Sequence, residues 1–425
     1  MDWFVWSLWF LIFTFFALFI QKKLLPEISY WVTFSLWTIK ILAGTALWAI
    51  YVNYYTDERT GDIISYHRDG LELLHIWRES PVDYVKVLFG LENNLEERYA
   101  HYYNNMRYWY EEWKGSNLII EFRNMVRLSS VVGLLTGGWV HSHTLFYSFF
   151  SLVGALFLAG GLARHLPLVR QDYLFAATVL FPSVLAWTSA IMRESPMMLG
   201  LGLAVYGTLT LKERRILAGL APLTLGFLLL ILFKTHVALT LTLPVILFLA
   251  SSKSQKQVLV VHTLGVTLFL IVVFFTPPGN LILHVVDKKR ENFLNVAEVW
   301  EARSRVPVPE VPQNPWDAVP KAFHALFNTF LQPLPWRVRG IMDGLAVLEN
   351  ILFLVLMSLT LISWRKLKSM EISLILFLTG FALWQGLLVG FTTSVAGAIV
   401  RYKVPALVML APLIVTALAP PRQNT

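Results

Sequence analysis

Trp3-Phe4-Val5-Trp6-Ser7-Leu8-Trp9-Phe10-Leu11-Ile12-Phe13-Thr14-Phe15-Phe16-Ala17-Leu18-Phe19-Ile20 carries no charge. Wound as a helix at about 1.5 Å per residue, such a run approaches the roughly 30 Å hydrocarbon layer of a bilayer. Comparable runs recur along nearly the whole chain, separated by short connections in which Lys and Arg collect. In lipid a backbone must satisfy its own hydrogen bonds, so runs of this kind span as helices. The expected fold class is therefore all-α, a polytopic transmembrane helical bundle forming one integral membrane domain over residues 1–425. We read about eleven spans, beginning near residues 3, 29, 141, 173, 195, 216, 236, 257, 344, 371 and 401.

Composition agrees. Hydrophobic residues make up 56% of the 425 and charged residues 15%, well below the roughly 25% charged of soluble domains. The net charge of +8 would suggest nucleic acid in a soluble protein. Here the short-loop cations are accounted for by membrane orientation, and no nucleic-acid partner is expected. With no cysteine in the chain, disulfides, thiolate metal sites and a Cys nucleophile are excluded. The first run has no basic residues before it and no small-residue cleavage site after Ile20, so it reads as a retained span. The 16 Trp, 15 Tyr and 29 Phe suit an interfacial aromatic belt.

Loop charge sets an expected orientation. Alternate short connections and the C-terminal tail hold Lys22, Lys23, Arg164, Arg170, Lys212, Arg214, Arg215, Lys253, Lys256, Arg365, Lys366, Lys368 and Arg422. The opposite connections hold only Arg193, Lys234, Arg401 and Lys403. The first set belongs in the cytoplasm, which puts the N-terminus outside and the C-terminus inside; a bacterial inner (plasma) membrane is the expected location. Both long polar segments, 53–140 and 277–343, then lie outside, as do the turns at Arg193-Glu194, Lys234-Thr-His236 and Arg401.

In the first segment Leu95, Tyr99, Tyr102, Tyr103, Met106, Trp109 or Tyr110, and Trp113 recur at helical spacing and predict an interfacial helix. From Asn117 to Thr136 a second pattern sets Ile119, Phe122, Val126 and Val132 against Arg123, Asn124, Arg127 and Ser130. It predicts a juxtamembrane helix stopped by Gly137-Gly138. In the second segment Pro307, Pro309, Pro312, Pro315 and Pro320 predict extended or looped chain, a lid or a spacer, flanked by short helices over Glu291–Arg303 and Val319–Phe330.

Chemistry-bearing residues are few. Asp57, Glu58, Arg59, Asp62, His67, Arg68 and Asp69 cluster after the second span. A carboxylate fixed there can deprotonate a hydroxyl or hold a divalent metal beside a diphosphate, and a histidine can share either task; a solvated loop is the plainer reading. Asp62, Asp69 and His67 are the catalytic candidates. Adjacent Arg193 and Glu194 should pair with each other at their turn, while Arg193 also has the planar fork that suits a lipid phosphate. Lys234, His236, Arg401 and Tyr402 share that side, and with Arg193 and Glu194 form the candidate substrate-binding set. Lys40 falls inside the second span and should snorkel. His141 and His143 form a His-x-His pair without a third metal ligand. Glu349 and Asn350 open the ninth span, and Trp300, Trp316 and Trp336 are anchors or stacking platforms. No Gly-x-Gly-x-x-Gly, Walker A or His-Glu-x-x-His sequence occurs.

The arrangement Asp62-Ile-Ile-Ser-Tyr66 early in the first large external loop, followed by amphipathic helices and many spans, resembles the GT-C class of membrane glycosyltransferases. Phe181-Pro-Ser-Val-Leu-Ala-Trp-Thr-Ser-Ala-Ile-Met-Arg-Glu194 and Arg401-Tyr-Lys-Val-Pro405 look like segments of bacterial multispanning proteins grouped with such transferases or with polysaccharide polymerases. The resemblance implies a polyprenyl-phosphate-linked sugar donor, a glycan or lipid acceptor and Asp62 as base. Two spans precede the loop here instead of one, and Gly61 and Ile63 flank Asp62, so a single carboxylate replaces the paired motif. A polysaccharide polymerase of O-antigen or exopolysaccharide type is the nearest alternative. A transporter or flippase, or a non-catalytic envelope-assembly scaffold, is the alternative from another class, although no internal symmetry of the transporter kind is visible.

Overall fold

A computed structural model describes residues 2–54, 61–91, 95–109, 117–252, 254–299, 301–302 and 304–420. Asp57, Glu58, Arg59, Tyr110, Trp113, Lys253, Trp300 and Arg422 lie outside the described residues.

The described chain is helical throughout, with one isolated antiparallel bridge between Arg305 and Val395. The helices are α1 (Asp2–Leu24), α2 (Tyr30–Tyr54), α3 (Asp62–Glu79), α4 (Pro81–Leu88), α5 (Leu95–Arg98), α6 (Ala100–Tyr103), α7 (Glu121–Thr136), α8 (Val140–His165), α9 (Gln171–Ala177) and α10 (Pro182–Trp187). They continue as α11 (Glu194–Lys212), α12 (Ile216–Ala250), α13 (Gln255–Phe275), α14 (Pro277–Val299), α15 (Pro315–Leu331), α16 (Ile341–Ile362), α17 (Trp364–Leu367), α18 (Ile372–Thr392), α19 (Ala396–Tyr402) and α20 (Val404–Leu418). The chain divides into two compact units, the first comprising Met1–Leu162 and Leu185–Ala238, the second Ala163–Val184 and Leu239–Thr425.

Among the described residues seven helices are long and apolar enough to cross a membrane: α1, α2, α8, α12, α13, α16 and α18. An eighth is gained if α19 and α20, bent by 52° at Lys403, form one broken span. This makes an integral membrane protein, with fewer qualifying helices than the eleven runs counted from hydropathy. Each difference has a local cause. The run near 173 is cut into the short α9 and α10, because Phe181 precedes Pro182 and the residue before proline is pushed out of the helical region. The run near 195 forms the 19-residue α11, but Glu194, Ser195 and three glycines lower its apolarity. The runs near 216 and 236 form two helical stretches that meet at a kink, together the 35-residue α12. The interruption expected at Lys234-Thr-His236 is present as that kink, with Lys234 alone leaving helical geometry at φ −156° and ψ 67°.

The first unit is held by close backbone contacts. A Cβ on Gly202 of α11 would stand 2.0 Å from the Gly154 carbonyl oxygen of α8, and one on Gly226 of α12 would stand 2.4 Å from the Ala204 backbone nitrogen of α11. Without an attraction between apolar surfaces in lipid, helix association relies on such close packing and on interhelical hydrogen bonds. Lys40 does not snorkel: its ammonium is buried in α2 and donates to Thr188 Oγ1 at 2.9 Å.

The helix expected over Asn117–Thr136 forms as a 3-10 turn, Asn117–Ile119, followed by α7, which ends at Gly137 in the left-handed conformation (φ +68°). Its polar side is not solvated, however. Arg123 and Arg127 are buried, both guanidinium groups lie over the Trp109 ring at 5.0 and 5.2 Å, and Arg127 Nε donates to the Val87 carbonyl at 2.7 Å. α3 packs along α7 through Gly70, where a Cβ would meet Ser129 Cβ at 2.5 Å. The continuous interfacial helix expected from the aromatic spacing is replaced by the single turns α5 and α6, with Tyr99, Tyr103, Met106, Tyr108 and Trp109 turned into a core on α3 and α7. Packing of these rings wins over the surface placement their spacing suggested.

In the second unit α15 lies against α18 so closely that a Cβ on Gly390 would meet the Ala325 carbonyl oxygen at 1.9 Å, and Thr329 Oγ1 donates to the Gly386 carbonyl at 2.6 Å. Residues 306–314 are non-helical, as their prolines require. The helix expected over Val319–Phe330 forms within α15, which starts earlier, at Pro315, so that Pro315 and Pro320 are helical where looped chain was expected of the proline run. Pro315 occupies the first turn of α15, where no N–H partner is needed, behind an Asn314 cap whose Oδ1 accepts the Asp317 N–H at 2.9 Å; Pro320 is tolerated one turn further on.

Candidate functional site

The first unit gathers most of the predicted site residues around α3 and the start of α7. α3 is amphipathic, with Ile63, Tyr66, Leu73 and Ile76 buried. Asp62 opens α3, where the partial positive charge of the helix N-terminus favours a carboxylate. It is half-buried, and Tyr108 donates a hydrogen bond from its phenol to Asp62 Oδ1. Burial, then the Asp62 charge, pushes the Tyr108 pKa up, so the phenol keeps its proton and remains a donor.

Asp69 lies two turns further along α3 and is sealed from solvent. Its Oδ2 accepts the Tyr108 backbone N–H at 2.9 Å. Burial raises its pKa to about 6, against the opposing pull of the Tyr108 and Arg107 backbone and the Arg68 and Arg107 charges. Asp69 therefore fixes the 107–108 backbone that carries the donor to Asp62. His67 is half-buried, its Nε2 hydrogen-bonded to the Gly138 carbonyl oxygen at 2.9 Å, so Nε2 carries the proton and donates. Burial lowers its pKa, with that hydrogen bond opposing. Its ring meets the fully buried His143 edge-on at 4.7 Å. His143 thus associates with His67 rather than acting with His141. Among the described residues no group of three or more His, Cys, Asp or Glu is placed to hold a metal ion.

A stack of rings connects Asp62 to the candidate cations. Tyr66 stacks on Tyr108 at 4.7 Å, Tyr108 on Phe122 at 5.1 Å, and the Arg193 guanidinium lies over Phe122 at 4.2 Å. Arg193 and Glu194 do not pair with each other as their adjacency suggested. Arg193 Nη1 meets Glu121 Oε2 at 2.5 Å, and Glu194 Oε1 meets Lys234 Nζ at 2.8 Å. Glu121 Oε1 also accepts the Thr235 backbone N–H at 2.7 Å, immediately after the break in α12. The break thus places an N–H on Glu121 and the lysine on Glu194. His236 follows, half-buried. Two cations, Arg193 and Lys234, thus stand against two carboxylates, Glu121 and Glu194. Lys234 and Glu194 are 2% and 1% exposed, so each ion requires the other to offset its desolvation.

Arg401 and Tyr402 belong to the second unit. Arg401, in α19, is buried beside its neighbour's ring at 5.9 Å. Tyr402 packs on Phe293 at 6.0 Å, and its carbonyl accepts from Gln385 Nε2 at 3.2 Å. Nearby in sequence, Lys403 is buried at the bend between α19 and α20. It donates to Asn350 Oδ1 at 2.5 Å and stands 3.6 Å from Glu349 Oε1, whose other oxygen accepts the Ser183 N–H at 2.5 Å. The second segment of this unit also contains a cavity of about 350 Å³ bordered by Arg305, Arg337, Arg339, Asp343, Ser304 and Gln332. Trp316 and Trp336 are strongly exposed.

Sequence reading missed Glu121, Arg107, Tyr108 and Phe122. Glu121 at the first turn of a helix was a weak signal, since acids favour that position. Nothing local indicates that Tyr108 reaches a carboxylate 46 residues earlier. No protein-family model, curated protein or solved structure matches this chain.

Proposed function

We propose that the chain is an integral membrane glycosyltransferase that moves a sugar from a polyprenyl-phosphate-linked donor to a glycan or lipid acceptor at the external membrane face. The observation that carries this reading is the half-exposed Asp62, held by the Tyr108 phenol at the start of an amphipathic helix whose apolar face is buried in the first unit. Asp62 accepts the proton of the acceptor hydroxyl, the hydroxyl oxygen bonds to the anomeric carbon, and the bond from that carbon to phosphate breaks with its electron pair leaving on the lipid phosphate. Tyr108 and Asp69 act as positioning residues. Asp62 accepts the Tyr108 hydrogen bond through Oδ1, which fixes the orientation of the carboxylate. Arg193 and Lys234 contribute by ordering the wall behind Phe122, because Glu121 and Glu194 already neutralise them. A polysaccharide polymerase would use the same bond changes with a longer acceptor.

The test uses full-length protein in nanodiscs with a panel of synthetic polyprenyl-phosphate monosaccharides and alcohol acceptors, reading release of polyprenyl phosphate. Wild type should turn over at least one donor. Asp62→Asn should insert normally and lose about 10² or more in rate, since general-base catalysis contributes roughly 10² to 10⁴. Full turnover by Asp62→Asn removes the base assignment, and no release by wild type from any donor removes the transferase reading.

A further inference from the structure

α15 is not among the helices long and apolar enough to cross a membrane, yet it packs on two that are. Thr329 bonds to Gly386 of α18, about 9 Å from the end of that helix, and Ala325 meets Gly390, nearer the end. The two helices therefore run antiparallel, and α15 moves deeper along α18 from Ala325 to Leu331. Phe330 stacks at 5.4 Å on Phe353, about 18 Å along α16 from its first residue. Asn350, about 13 Å along α16, donates from Nδ2 to the Leu331 and Pro333 carbonyls at 3.0 and 3.3 Å. α16 and α18 are consecutive apolar helices joined by a short connection, so as spans they place the start of α16 and the end of α18 on one membrane face. The chain thus enters from that face as α15, turns over 332–334 at the level of Asn350, and returns over 335–340 to the start of α16.

The sequence fits such a path. His324 is the last ionisable residue before the turn and Arg337 the first after it, and residues 325–336 contain none, as the cost of a charge at membrane depth requires. Non-helical backbone at that depth has to be enclosed by protein; Gln332 and Pro333 are buried, and Asn350 satisfies the carbonyls on either side of Gln332. Ala325 and Thr329 put one side of α15 on α18. On the opposite side Trp316, Val319, Phe323 and Phe327 recur at steps of three and four, and are 89%, 59%, 72% and 42% exposed. α16 likewise presents exposed Leu345 and Leu348 in its first turns, so an outward apolar surface at this level continues the lipid-facing surface of a span.

We propose that residues 315–340 form a re-entrant hairpin that enters and leaves the membrane on one face, with its Trp316-Val319-Phe323-Phe327 stripe covered by lipid, Trp316 at the headgroups and Phe327 among the acyl chains. The segment read from its prolines as an external lid or spacer is then in part a membrane element. The proposal stands apart from the transferase reading, because accessibility is measured without turnover.

The chain has no cysteine, so single-cysteine variants of the full-length protein each report one site. Gln313→Cys and Val338→Cys, at exposed positions on either side of the hairpin, are treated with a membrane-impermeant maleimide on intact expressing cells, before and after permeabilisation. The two should behave alike, both labelled before permeabilisation or both only after it. Labelling of one before and of the other only after makes α15 a span and overturns the hairpin. For the stripe, Trp316→Cys, Phe323→Cys and Phe327→Cys carry a nitroxide in proteoliposomes, with Leu264→Cys, exposed on α13, as the lipid reference and Asn104→Cys, exposed in the first polar segment, as the water reference. Collision with oxygen relative to a water-soluble nickel chelate should rise from 316 to 323 to 327, and at 327 approach the value at 264. Values at 323 and 327 close to that at 104 place the stripe in water. Low collision with both reagents, together with dipolar broadening between labels, places it against a second copy. Either result overturns the lipid assignment.

Discussion

Among single residues, burial decides which charges are tools and which are fixtures. Lys234 and Glu194 are so enclosed that removing one partner leaves an uncompensated charge, which costs about 3–5 kcal/mol, whereas removing both can be nearly neutral. Lys234→Met should therefore lower the melting temperature of the detergent-solubilised protein substantially, and Lys234→Met with Glu194→Gln should recover most of it. A single variant that melts like wild type would show the pair to be energetically idle. Asp69 offers a pH-dependent counterpart. Its pKa is raised by burial from 3.8 to about 6, so folding favours the protonated carboxyl. Stability is then highest below the unfolded value near pH 4 and declines as pH rises towards 6, by an amount on the order of 2–3 kcal/mol. Asp69→Asn, which keeps an oxygen for the Tyr108 N–H, removes this cost. Its melting temperature relative to wild type should improve between pH 4 and pH 7; a constant difference across that range would contradict the assignment.

Between helices, the first unit depends on glycines where backbones touch. A Cβ on Gly207 of α11 would stand 2.5 Å from the Leu223 backbone nitrogen and 2.6 Å from the Gly219 carbonyl oxygen. These are backbone atoms that no rotamer change can move, so Gly207→Leu should separate α11 from α12 and cost about 1–3 kcal/mol or more. A Cβ on Gly380 of α18 would meet nothing within 4 Å, and Gly380→Ala should be tolerated. Comparable melting and monodispersity for the two variants in size-exclusion chromatography would refute the contact's importance. Helix ends were readable where a single residue type dictates them, as with Gly137 after α7. At Lys234 the interruption was readable but its geometry was not, because a lysine imposes no backbone geometry of its own; the kink comes with the long-range contacts of Glu121 and Glu194.

For the molecule as a whole, apolar runs identify the solvent, and loop cations give an orientation to be measured. Reporter fusions after Lys23, Arg215, Lys256 and Lys368 should report the cytoplasm, and fusions near Glu97 and Pro312 the exterior. The number of qualifying helices among the described residues, seven or eight, leaves α9, α10 and α11 as the segments on which a simple count turns. A cytoplasmic signal at Pro312 would move the second segment, and its arginine-lined cavity, away from the external face.

Helicity and residence in a membrane follow from the order of amino acids alone, because uncharged runs such as Trp3–Ile20 have no other low-energy arrangement in lipid. The same order marks Asp62, Asp69 and His67 as a cluster, since they share one helix. Their separate roles come from packing: Asp69 is sealed against the 107–108 backbone, Asp62 remains reachable, and His67 faces His143. Packing likewise pairs Lys234 with Glu194, and Arg193 with Glu121 across 72 residues. Charge partners in a buried site are chosen by which helices pack together, and that choice depends on contacts between distant glycines and rings that no local pattern records.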